Sequence, residues 1–93
     1  METTETVVVP EKLSDIAMLI HSDWSKQGKG VNYSAEPYLQ AMFQLETMKD
    51  NFYLDSASSV VAYFLANATS WKGEVAKAVK KKLNAMLKGY YGK

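Results

Sequence analysis

From Leu13 onward, apolar residues return every three or four positions: Leu13, Ile16, Ala17, Ile20 and Trp24. At about 100° per residue they fall on one stripe and predict an amphipathic helix over residues 11–26. Pro10 precedes it with a backbone angle suited to a first turn, and Gly28 and Gly30 end it. A second stripe, Tyr38, Met42, Leu45 and Met48, is widened by Leu39 and Phe43. It predicts a helix capped by Ser34, with Pro37 in its first turn, that closes in the polar turn Lys49-Asp50-Asn51.

The third pattern is the most regular. Ala57, Val60, Val61, Phe64, Leu65 and Ala68 keep the three-four rhythm, and Tyr63 beside them makes Val60 to Ala66 apolar almost all round. A helix of that kind belongs inside a domain, so residues 56–67 are expected to form a central helix, capped by the Asp55 carboxylate. A last helix is expected to start at Ser70 as its cap. Its buried face would carry Trp71, Val75, Val79, Leu83, Met86 and Tyr90, with Leu87 at the border. Lys77, Lys80, Lys81 and Lys88 share the opposite side within an arc of about 100°. Four helices with short joints predict an all-α fold, a compact four-helix bundle over residues 10–93 with a flexible N-terminal arm over residues 1–9.

A chain of 93 residues has room for one core only. Its apolar runs are a few residues long, far below the roughly 20 that span a bilayer. The acidic start Met1–Glu5, followed by three valines, does not read as a secretory signal, so a cytoplasmic protein with no membrane partner is expected. With no cysteine, disulfides, thiolate catalysis and thiolate metal sites are excluded.

Charge changes the picture more. The net charge of +1 conceals a split: residues 1–71 hold four lysines against nine acids, and residues 72–93 hold seven lysines against Glu74 alone. Such asymmetry points to an acidic or polyanionic partner for the basic end, or to neutralisation by the rest of the fold or by a second copy. No arginine is present, and lysine acts as a point charge rather than as the planar fork that reads bases. Base-specific DNA recognition is therefore disfavoured, while salt-sensitive attraction to anions survives.

Reactive groups are few. The only histidine, His21, stands in His21-Ser22-Asp23, and neighbours on a helix point about 100° apart, so the three do not form an aligned triad. His21 with Asp15 or Asp23 lacks enough strong ligands for a metal. The segment Asp50–Asp55 lacks the glycine and terminal glutamate of a calcium loop. Gly28-Lys29-Gly30 lacks the spacing and preceding strand of a phosphate loop. No catalytic residue, cofactor or metal is expected. The lysines of the last helix with Tyr91 are the remaining candidates for partner binding. The same lysines also serve simply to keep a terminal helix soluble, and ammonium groups beside a tyrosine suit phosphates and stacked bases. Met18, Leu19, Leu39 and Phe43, if exposed together, would form an adhesive patch for a homodimer or a foreign protein.

Several strings also resemble a group of small, largely uncharacterised proteins of bacteria and their phages: Asp23-Trp24, Pro37–Met42, Asp55-Ser56, Val60–Ala68 and Trp71-Lys72-Gly73, closing on Ala76 and Lys80. The similarity covers about residues 13–88. It implies an all-helical accessory domain and carries no activity or site to transfer. In a phage setting, small size without catalytic groups suggests a binder of host machinery of the anti-defence or host-takeover type, an analogy of size and charge. The expectation is therefore a non-enzymatic protein that binds a host protein through Lys77, Lys80, Lys81, Lys88 and Tyr91. The alternative is a nucleic-acid-binding accessory protein using the same face.

Overall fold

The first element forms where the apolar stripe predicts it. In the computed structural model, which describes residues 7–91 (at Tyr91 the backbone alone), helix α1 runs Leu13–Trp24 and buries Leu13, Ile16, Ala17, Ile20 and Trp24. Lys12 at its start offers no side-chain cap. The free N–H of Leu13 instead donates to the Glu46 carbonyl at 3.0 Å, which ties the start of α1 to the chain beyond the second helix. Of the expected arm, residues 1–6 lie outside the described residues, and Val9 packs half-buried against the core.

Helix α2, Glu36–Met42, is shorter than its stripe. Leu45 and Met48 are buried, but from irregular backbone, because the chain leaves α2 through bonds spanning three residues, Gln44 to Ala41 and Leu45 to Met42. The Asp50 carboxylate then accepts the amides of Glu46 (2.9 Å) and Thr47 (3.0 Å). A side chain that captures two amides a helix would use stops the helix. The start also differs from expectation: Ala35 stands at the cap position and contributes no side-chain bond, while the Ser34 hydroxyl is turned back to Asn32 Oδ1.

Two short strands follow, outside any helical expectation. Strands β1 (Asn51–Phe52) and β2 (Asp55–Ser56) pair antiparallel, Asn51 with Ser56 and Phe52 with Asp55, around the two-residue connection Tyr53-Leu54. Asp55 is thereby committed to the hairpin and is not the cap of the next helix. Ser56 is, its hydroxyl accepting the Ser59 amide at 3.2 Å.

Helix α3, Ala57–Ala66, buries Ala57, Ser58, Val60, Val61 and Phe64 but leaves Ala62, Tyr63 and Ala66 exposed. It is not the enclosed central helix that its composition predicts. Its uncharged outer face is open, and Tyr63 stacks on Tyr38 of α2 at 5.5 Å. The Asn67 side-chain amide closes α3 on the Tyr63 carbonyl at 2.8 Å, the role in helix termination that its position implies.

Helix α4 spans Glu74–Tyr91, three residues later than the expected start at Trp71. Trp71 is fully buried in the joint before it, and Gly73 turns the chain into α4 at φ +108°, a backbone angle that side chains other than glycine's rarely adopt. Ala76, Val79 and Leu83 reach the core, with Val75, Met86 and Leu87 half-buried against it, while Tyr90 lies at the rim, 39% exposed. Among the described residues the principal contacts run in a cycle, α1 with α2 and α4, and α3 with α2 and α4, around one core. The outcome is a mostly helical bundle of four helices with a small two-stranded sheet set between α2 and α3.

Candidate functional site

The long amphipathic helix α4 presents its lysines because its apolar stripe faces α1 and α3. Lys77, Lys81 and Lys88 are exposed. Spaced by four and seven positions, they lie within about 40° of arc and rise about 6 and 10.5 Å, a straight row about 16 Å long. Among the described residues none of the three makes an ion pair.

Lys80 departs from the expected row. It is half-buried, its ammonium donates to the Trp71 carbonyl at 2.8 Å, and it lies 5.9 Å from the centre of the Trp71 ring. Burial, and then the nearby charge of Lys72, push its pKa below the ordinary lysine value. Lys80 is thus a strut under the joint that enters α4, because an unpaired carbonyl just outside the helix lies within its reach. Lys82 is engaged too, pairing with Glu11 at 2.6 Å. The Tyr91 side chain, the fifth candidate, lies outside the described residues.

Behind the row, a polar network fastens the α3–α4 joint to the end of α1. The Trp71 indole N–H donates to Asp23 Oδ2 at 2.9 Å. The Gln27 side-chain amide donates to the same oxygen at 3.1 Å and to the Lys72 carbonyl at 2.7 Å. Trp71 stacks on Trp24 at 5.6 Å, and Phe64 meets both rings edge-on. Asp23 and Gln27 are structural residues that periodicity does not single out, since their partner lies 45 or more positions away. Gly73 serves the network through its backbone angle rather than by close approach: a Cβ there would meet nothing nearer than Gln27 Nε2 at 3.8 Å.

The other sequence candidates disperse. His21 is exposed, with its ring edge-on to Phe43 at 6.3 Å, and Asp23 turns away from it toward Trp71. Among the described residues no three His, Asp or Glu side chains gather as a metal site. Asp50 is occupied by the turn at Glu46 and Thr47, and Asp55 faces solvent. The expected apolar patch does not assemble either. Leu39 is fully buried, Leu19 and Phe43 pack half-buried against the core, and Met18 stands out at 60% exposure. The patch required all four to be exposed together, and only Met18 is.

Two features escape sequence reasoning. One is the hairpin tip, where Tyr53 and Leu54 are 85% and 102% exposed. The other is a cleft of about 660 Å³ between the loop after α1 and Ser70, floored by Trp24. Among the described residues no helix is long and apolar enough to cross a membrane. Comparison with protein-family models, with curated proteins and with solved structures gives no match.

Proposed function

We propose that the protein is a non-enzymatic interaction module whose α4 row, Lys77, Lys81 and Lys88, docks on an acidic surface of another protein. One observation carries this reading. Three exposed ammonium groups stand in line on one helix face, and among the described residues no carboxylate pairs with any of them. A row left unneutralised projects a positive field that speeds encounter with a negative surface and fixes its orientation. That the partner is a host protein in a cytoplasm shared with a phage or mobile element rests on the resemblance of the sequence motifs alone. A nucleic-acid backbone is the competing occupant of the same row.

The test is affinity capture from host lysate, with and without nuclease, using the wild-type chain and the K77E/K81E/K88E variant. A protein retained after nuclease treatment and lost with the triple variant supports the reading. Loss on nuclease treatment, with binding that falls steeply with salt, would assign the row to nucleic acid instead. Equal capture by wild type and triple variant would refute both.

A further inference from the structure

The hairpin tip leaves two large apolar side chains almost wholly in solvent. A two-residue hairpin connection calls for positive φ at its first central position, normally filled by glycine, asparagine or aspartate. Tyr53 occupies it at φ +57°. A bulky side chain in that region costs about 1 kcal/mol or more, and such strain concentrates at functional positions. Among the described residues Tyr53 and Leu54 stand in solvent, and the one ring contact of Tyr53 is edge-on with Phe52 at 4.6 Å.

A second surface has the complementary defect. The cleft beside Trp24 is walled by Val31 and the 88% exposed Tyr33, and no acidic residue lines it. Gly28 and Gly30 are on its lining, and a Cβ built at either meets no atom within 4 Å. Lys29 lies on the lining and is exposed. On the tip, the residue after Leu54 is the exposed Asp55. A volume of about 660 Å³ accepts two side chains of this size, within the roughly 300–1,000 Å³ of ordinary binding clefts.

We propose that the Tyr53-Leu54 tip of one copy seats in the Trp24–Tyr33 cleft of a second copy, with Asp55 facing Lys29. Charge complementarity selects this occupant. Asp55 beside the tip is exposed and would be repelled by an anionic lipid surface, whereas the cleft lining holds Lys29 and no acid. Because tip and cleft are different patches of one molecule, the contact is head to tail, leaving a free tip and a free cleft at the ends of every assembly. The patch is small, so association is weak and reversible. Neither surface includes a residue of the α4 row, so this inference stands or falls apart from the proposed function.

Sedimentation velocity up to about 1 mM protein, where even a weak specific contact is populated, tests it. Three samples are compared: wild type, Leu54→Asp at the tip and Ser70→Trp at the cleft, each change at an exposed position. Wild type is expected to rise in mass with concentration and to pass the dimer, while each variant stays monomeric. An equimolar mixture of the two variants is expected to form dimers and stop there, since one intact tip and one intact cleft remain. A wild type that stays monomeric, or a mass rise that persists in either variant alone, would overturn the proposal. So would tip-dependent binding of wild type to lipid vesicles without self-association.

Discussion

Removing the Asp23 carboxylate is the most direct test of how the α3–α4 joint is held. Trp71 is fully buried, and its indole N–H has the Asp23 oxygen at 2.9 Å. A hydrogen bond to a charged acceptor contributes about 1.5–3 kcal/mol, and a buried donor left without an acceptor costs about 1–3 kcal/mol. Asp23→Ala is therefore expected to lose about 2 kcal/mol, out of a total of about 5–14 kcal/mol for a domain of this length. Its midpoint of thermal unfolding falls by about 10 °C. Trp71→Phe removes the donor and leaves space where the indole was, so it costs about 2–3 kcal/mol.

In the double variant the orphaned donor no longer exists, and the loss falls short of the sum by about 1–2 kcal/mol. Urea unfolding followed by far-ultraviolet circular dichroism reads all four proteins without relying on the altered tryptophan. Two results would refute the reasoning. One is a D23A cost below about 0.5 kcal/mol, the range of an ordinary surface change. The other is additivity of the two substitutions within about 0.5 kcal/mol.

Glycines at the two ends of α4 should respond in opposite directions. Gly73→Ala forces a side chain into φ +108° and is expected to cost about 1–2 kcal/mol, whereas Gly89→Ala has open space and gains up to about 1 kcal/mol, as read by chemical denaturation. Lys80→Met should lose about 1 kcal/mol by orphaning the Trp71 carbonyl, while Lys81→Met stays within about 0.5 kcal/mol; the reverse order would refute the role of Lys80 as a strut. The amides of Thr47 and then Glu46 hold the Asp50 carboxyl below its ordinary value of 3.8. A depressed folded value means that the stabilisation is complete above 3.8 and is lost as pH falls from there through the lower folded value. Asp50→Asn is expected to lose less stability than wild type across that acid window, and equal acid slopes would count against the turn described at Glu46 and Thr47.

How much of this was legible in the chain depended on whether a partner close in sequence decided the outcome. The α1 stripe translated directly into its buried face, because an amphipathic helix needs only its own spacing to define a side. Leu45 and Met48 kept helical spacing and are buried, yet the helix stops at Met42, since Asp50 binds two amides from beyond the segment. Strands of two residues carry no readable alternation, and a tip with no glycine gives no turn signal, so the hairpin stayed hidden. At α4 the helical angle sorted Lys77, Lys81 and Lys88 correctly onto the outer face. The same angle included Lys80, whose fate is set by a carbonyl nine residues earlier on the chain that enters the helix. Candidate binding residues were thus readable as a face, while the residue that the fold keeps for itself was not.

The stacking of Trp24 on Trp71 has a practical consequence for anyone following this protein by light. These are the only two tryptophans, and they share one corner where the end of α1 meets the entry to α4. Intrinsic emission excited through indole therefore watches that corner and is blind to the hairpin and α2. If the far side of the molecule loosened first, fluorescence would still report a native protein while ellipticity had begun to fall, so disagreement between the two signals would locate the weaker half.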